Sequence, residues 1–256
     1  MERHILSKST FIRGNQCLKS LYLHKKRPFL RDKLSPEQRA KFKRGTRLGV
    51  LAQQLFPGGI DLSPRAPSQY QKRVLETTEI IRQGKHNILY EAVFQFDQLL
   101  IMLDILNLRN GEWFGYEVKS SLKISDTYLL DAAFQYYVIT NSGLKLTDMF
   151  LVYVNKDYTF EGEARFDDLF IFESVLEKVL ELQDYIKEKT IEEKAILHLN
   201  SSPKIDVGAH CLSPYPCDFI GHCWKHVSDK SILNTYKPSS NEEFYEFLDK
   251  IEQLNS

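Results

Sequence analysis

Two residues near the middle of the chain, Asn110-Gly111, constrain the fold more than any other feature. They stand between apolar stretches, residues 99 to 108 and 112 to 119, and both tolerate the positive φ that a two-residue hairpin turn demands. Such a turn fixes the register of everything beside it. Counting outward from it, Asp104 falls opposite Glu117 and Met102 opposite Lys119. Because strand side chains alternate, Asp104, Glu117 and Lys119 share one face.

The neighbouring pattern extends this sheet. Residues 88 to 96 read as a further strand, and if Asp97-Gln98 turns as tightly as Asn110-Gly111, Glu91 also falls opposite Asp104. Ser35-Pro36 starts a helix that Phe56-Pro57-Gly58-Gly59 stops, and a second helix over 68 to 83 ends at Gly84. Helix returns over 126 to 140, strands are expected at 149 to 154 and 169 to 172, and a long helix runs from 174 to about 194. A loop-rich stretch, 203 to 226, and a helix beginning near Ser240 follow. Helix, three strands, helix, strand is the order of a mixed α/β core flanked by helices.

Two carboxylates opposite each other in apolar strands repel, a poor arrangement unless a cation lies between them. Mg²⁺ or Mn²⁺, held by oxygen ligands, would supply that cation. It could polarise a phosphoryl oxygen and ionise a bound water, with Lys119 stabilising the charge nearby.

Asp104 followed by Glu117-Val118-Lys119, inside an α-β-β-β-α-β order, resembles the Asp and Glu-x-Lys motifs of PD-(D/E)XK nucleases, whose fold is the restriction-endonuclease-like core. That resemblance implies metal ligation by Asp104, Glu117 and the Val118 carbonyl, and assistance to the attacking water by Lys119. Glu91 is a further candidate ligand. The RecB-like branch often carries a metal-binding histidine after an Arg-Gly-Thr segment; here Arg44-Gly45-Thr46-Arg47-Leu48 leads to Gly49. The branch's glutamine and tyrosine on the following helix are represented by Gln135 and Tyr136, which are expected to contact nucleic acid or, for Gln135, the active site.

Four cysteines occur, Cys17 alone and Cys211, Cys217 and Cys223 with five residues between each. In a reducing compartment such grouping points to metal rather than disulfides. Zinc sites usually show two-residue knuckles, absent here, so zinc is the alternative. One cysteine near one end and three near the other is similar to the iron staple of RecB-like nucleases, including CRISPR-adaptation and AddB-type enzymes. That similarity implies a structural four-iron four-sulfur cluster.

The formal net charge is zero, but residues 1 to 50 hold fourteen lysines and arginines against three acids, a surplus of eleven. With Phe11, Tyr22, Phe29 and Phe42 interleaved, this segment can track phosphates and stack bases. Lys41, Lys43, Arg44 and Arg47 are the candidate phosphate contacts. The most apolar run, residues 99 to 106, is too short to span a bilayer and contains Asp104, so a soluble, cytoplasmic protein without a membrane partner is expected.

Three segments are expected: a basic helical region, 1–66, with the first cluster cysteine; a nuclease core, 67–200; and a cysteine-rich segment with a C-terminal helix, 201–256. The expected activity is deoxyribonuclease hydrolysis, exonucleolytic, on single strands or ends, by a protein that works at ends or within a complex. The alternatives are a catalytically inactive nucleic-acid-binding or interaction module of the same fold and a metal-dependent RNase.

Overall fold

The computed structural model describes residues 4–34, 36–159 and 165–227, without the side chains at 37, 38, 41, 42 and 226. Its elements are β1 (Leu6–Ser7), α1 (Lys8–Gln16), α2 (Leu18–Lys26), α3 (Pro36–Ala52), β2 (Ile60–Asp61), α4 (Tyr70–Gln83), β3 (Ile88–Phe96), β4 (Leu99–Arg109) and β5 (Glu112–Lys119). There follow α5 (Asp126–Asn141), β6 (Leu146–Val154), α6 (Phe166–Leu169), β7 (Phe170–Ser174), α7 (Leu176–Glu181), α8 (Gln183–Leu197) and α9 (Ile220–Cys223). The helix expected near Ser240 lies outside the described residues.

The sheet is mixed and has seven strands in the order β2-β3-β4-β5-β6-β7, with β1 added in parallel to β4. Asn110 and Gly111 take φ of 54° and 81°, and the hairpin pairs Arg109 with Glu112 through Ile105 with Tyr116 in the register the turn requires. Asp97 and Gln98 also adopt positive φ, 42° and 65°, and β3 pairs with β4 in the equivalent register. Gly84, at φ 63°, closes α4 by donating its N–H to the carbonyls of Ile80 and Ile81. The long helix expected from 174 is two helices, α7 and α8, and the strand expected at 169 to 172 is β7.

One face of the sheet buries Tyr90, Ile105, Tyr116 and Val152 against Leu48, Leu51 and Ala52 of α3. On the other, Val93 and Leu100 pack with Val74 and Tyr70 of α4, and Phe134 of α5 stacks on Phe11 of α1 at 4.4 Å. Burial of these large side chains is worth about 1.5–3 kcal/mol each, which makes the register expensive to slip.

The compact units are interleaved along the chain rather than following the three consecutive segments expected. The first comprises residues 1–12 and 35–191, the second residues 13–34 and those from 192 onward. The second unit has a small apolar core of Tyr22, Leu23 and Phe219, joined by Leu30, Ile196, Cys217 and Cys223. Polar ties supplement it. Arg13 and Arg31 both reach Asp218 Oδ2 at 2.6 Å, and Gln16 Nε2 donates to the carbonyls of His210 and Tyr215. The Gly221 N–H donates to Asp32 Oδ2 at 2.9 Å, an approach that leaves no room for a side chain at Gly221. Among the described residues no helix is long and apolar enough to cross a membrane.

Candidate active site and cysteine pocket

The β4–β5 ladder stops at Ile105–Tyr116, one rung short of Asp104 and Glu117. Beyond it β5 stays paired with β6, as far as Lys119 with Tyr153, and the two hairpin strands part. The expected Met102–Lys119 pair therefore does not form, and Met102 packs with Val93 and Leu100 instead. Asp104 takes over part of the missing ladder, accepting the Val118 N–H through Oδ2 at 2.6 Å.

On the other side of Asp104 the β3 ladder skips a rung between Tyr90–Ile105 and Ala92–Leu103, and the residue left out is Glu91, at φ 52°. A non-glycine residue in that region inside a central strand is strained. Glu91, Asp104 and Glu117 thus occupy one level across three adjacent strands. Val118, between Glu117 and Lys119, packs towards α3, so the acids and Lys119 take the opposite face.

Lys119 Nζ donates to Glu117 Oε1 at 2.7 Å and to Asp131 Oδ2 of α5, and it lies 5.2 Å from the Tyr128 ring centre. Lys8 Nζ meets the same Glu117 Oε1 at 2.7 Å. Sequence reasoning missed Lys8. It arrives because β1 pairs with β4 at Leu99 and Leu100, on the stretch of edge that β5 has left. A two-residue parallel strand has almost no local signature, so only the apolar Ile5-Leu6 before it hinted at pairing. Asp131 stands one turn before Gln135 on α5, and its role as the second carboxylate on Lys119 depends on a contact across the sheet face.

The electrostatics divide these acids. Burial, reinforced by Asp104 and only partly opposed by Lys8, raises Glu91 to about 8. Asp104 rises to about 7, through burial and then Glu117, against Lys8, the Val118 N–H and Lys119. Burial would raise Glu117 as well, but Lys119 and Lys8 together hold it down to about 2. Burial disfavours both ammonium charges, yet their carboxylate partners outweigh it and raise Lys8 and Lys119 above the ordinary lysine value.

Glu117 is 2% exposed, and its Oε2 has no hydrogen-bond partner among the described residues. An orphaned carboxylate oxygen next to two acids with raised pKa is a donor set suited to a hard divalent cation. The acids do not converge: among the described residues no three His, Cys, Asp or Glu side chains are arranged to hold a single ion.

Gln135, expected to contact nucleic acid or the active site, is fully buried and donates to Asp131 Oδ1 at 3.4 Å. It braces the partner of Lys119 and is out of reach of a strand. Tyr136 is half-buried, and Lys43, Arg44 and Arg47 are exposed on α3, while the Lys41 side chain lies outside the described residues. α3 packs on the Tyr116 and Val118 face, so these cations are not on the carboxylate face.

In the second unit all four cysteines are free thiols and line one pocket together with Ser20 and Lys19. Cys17 precedes α2 in extended conformation. The Cys217 N–H donates to the Cys211 carbonyl at 2.8 Å, closing the first five-residue interval into a loop, and Cys217 Sγ lies 3.3 Å from Ser20 Oγ. Burial pushes the Cys17 and Cys223 thiols up; for Cys17 the backbone N–H groups of Ser20 and Lys19 oppose it, and for Cys223 Lys19 does, while the other cysteines push both upward. Among the described residues no three of these side chains are arranged to hold a single ion.

No protein-family model matches the chain, and no curated protein matches it. Among solved structures it aligns with the crystal structure of SSO0001 over 87% of each chain, at 12% identity and a TM-score of 0.38. That likeness is too distant to place the chain in a fold family.

Proposed function

We propose that the protein is a metal-dependent deoxyribonuclease with a PD-(D/E)XK, restriction-endonuclease-like core of the RecB-like branch, acting on single-stranded DNA or DNA ends. One observation carries the reading: Glu91, Asp104 and Glu117 share a level across three strands, with Lys119 bonded to the last and the Glu117 Oε2 left without a partner. Asp104, Glu117, the Val118 carbonyl and Glu91 would hold Mg²⁺ or Mn²⁺. When bound, such a cation polarises a phosphoryl oxygen and lowers the pKa of water.

The chain's own residues do the rest. Asp131, braced by Gln135, keeps Lys119 charged and aimed at the acids, where an ammonium can orient the attacking water and offset charge on the phosphate. Lys8 fixes Glu117 Oε1 from the other side and leaves Oε2 as its available oxygen. Cys17, Cys211, Cys217 and Cys223 would hold a structural iron-sulfur cluster of the four-iron four-sulfur type. Their placement around one pocket supports a shared group, and the preference for a cluster over zinc rests on the resemblance and on the lack of two-residue cysteine knuckles.

A catalytically silent nucleic-acid-binding module is the second reading. Gly49 in place of the branch's histidine and the unconverged acids favour it. Cleavage of end-labelled single-stranded and duplex DNA in Mg²⁺ and in Mn²⁺ separates the two. Asp104→Ala and Lys119→Ala should lower the rate by orders of magnitude, several kcal/mol of barrier, with cluster absorbance unchanged; Lys119→Ala should also lower the melting temperature, because it takes an ammonium from the buried Glu117 and Asp131. Full activity in purified Lys119→Ala would sink the assignment of these residues, and no cleavage by the parent protein would sink the nuclease reading.

A further inference from the structure

Four aromatic residues are interleaved with the basic residues of the first fifth of the chain, and the structure separates them. Phe11 is fully buried in the first unit, and Tyr22 is 4% exposed in the core of the second. The Phe42 side chain lies outside the described residues. Phe29 is 74% exposed, more than any other large hydrophobic residue among those described. Leaving a phenylalanine ring in water forfeits about 1.5–3 kcal/mol of burial, so what holds it there matters.

Phe29 sits in the middle of a single 3-10 turn, Pro28–Leu30, directly after α2. Pro28 fixes φ at the start of the turn, and the Leu30 and Arg31 N–H groups donate back to Arg27 and Pro28. Leu30, next in sequence, packs against Tyr22, Leu23 and Phe219. Arg31 is tied to Asp218, the Asp32 N–H donates to the Asp218 carbonyl, and the Asp32 carboxylate accepts the Gly221 N–H. The ring is therefore presented by a turn anchored on both sides.

Its surroundings are cationic. Between Lys25 and Lys33 stand five lysines and arginines against one acid, Asp32, whose carboxylate is committed to Gly221. Lys26, Arg27 and Lys33 are exposed and form no ion pair among the described residues.

We propose that the Lys25–Lys33 segment is a binding platform for single-stranded nucleic acid, with an unpaired base stacked on Phe29 and phosphates held by Lys26, Arg27 and Lys33. A braced, exposed ring among cations is complementary to a flexible polyanion with flat faces, and ring stacking needs a base free of its partner strand. An anionic membrane fits less well, since one ring with Leu30 turned inward offers little apolar surface for insertion. The choice of DNA over RNA rests on the nuclease reading; the platform itself does not.

The test uses the full-length protein in EDTA, so that binding is read without cleavage. Anisotropy of fluorescein-labelled oligo(dT) should show Phe29→Ala weakening binding by roughly 5- to 150-fold, the equivalent of stacking one base, with an unchanged melting temperature because the ring is exposed. Phe29→Trp should bind like the parent, and its indole emission should be quenched by oligo(dT). Lys26→Glu and Arg27→Glu should each flatten the dependence of affinity on salt by about 0.7 in logarithmic slope. Failure of the parent to bind, unchanged affinity in Phe29→Ala, or Phe29-dependent binding to phosphatidylserine vesicles in place of oligo(dT) overturns the proposal. A protein that binds through Phe29 and cleaves nothing keeps the platform and loses the nuclease.

Discussion

The two compact units hold themselves together in opposite ways. The first has a seven-strand sheet with apolar packing on both faces, and that surplus lets it keep three acids at one level and a strained Glu91 in a central strand. The second buries fewer large side chains, Leu21, Tyr22, Leu23, Leu197 and Phe219 among the described residues, with polar bonds between its two stretches and four cysteines lining one pocket. Damage to the acids should therefore cost chemistry and spare the fold. Damage to the cysteines should cost the fold.

The hardest test of that contrast is a pair of substitutions at opposite ends of the chain. If the cysteines hold the proposed cluster, Cys17→Ser and Cys217→Ser should destabilise the protein equally, by about 4–5 kcal/mol or more, because such a cluster would couple its binding free energy to folding. Limited proteolysis should then cut first within residues 13–34, because the apolar cluster that would still hold them is small. Should Cys17→Ser keep full cluster absorbance and stability while Cys217→Ser loses both, a local site of Cys211, Cys217 and Cys223, completed by His210 or His222 around zinc, becomes the better description.

The acids of the first unit make stability depend on pH. Glu91 and Asp104 titrate near 8 and 7 when folded and near 4 when unfolded. The folded state thus keeps protons that the unfolded chain releases, so stability declines as pH rises from about 4 to about 8 and levels off above. Glu117, held down to about 2, acts the other way; its contribution is present above about 4.5 and fades as pH falls toward 2. A divalent cation favours the ionised acids, so the gain in melting temperature from Mg²⁺ over EDTA should be larger at pH 8 than at pH 5. An equal gain at both would mean that Mg²⁺ binds elsewhere.

What was legible in the sequence follows the range of the interactions. Asn110-Gly111 fixes the β4–β5 register locally, and the equivalent turn at Asp97-Gln98, from weaker turn residues, puts Glu91 level with Asp104. Periodicity cannot show where a ladder opens, so the parting of β4 and β5 was hidden, and with it the entry of β1 and Lys8. Of the two expectations for Gln135, nucleic acid or the active site, its burial against Asp131 fits the second, a distinction that depends on a contact the sequence does not show. The interleaving of the units depends on contacts between residues about 200 positions apart, such as Arg13 with Asp218, which leave no mark on local composition.

Lys8 sharpens the comparison further, since it belongs to the first unit although it lies only nine residues before Cys17. Lys8→Met should lower the cleavage rate about tenfold, ~1.4 kcal/mol, and move the acid limb of the pH–rate profile upward, because Glu117 then has a single ammonium holding its pKa down. Lys8→Arg should restore much of both. An unmoved acid limb would reduce Lys8 to a bridge without a part in the chemistry.

The smallest expected effect asks which unit carries the phosphate contacts. Lys43, Arg44 and Arg47 are exposed on α3, so reversing their charge should leave the fold intact, but α3 packs on the sheet face opposite the acids through Leu48 and Leu51. If these residues still reach a strand, each reversal lowers the salt slope of single-stranded DNA binding by about 0.7, and the three together by about 2. If the slope stays fixed while Lys26→Glu and Arg27→Glu reduce it, strand binding is confined to the second unit and the first contributes chemistry alone. A loss shared between both sets would instead mean that each unit carries phosphate contacts of its own.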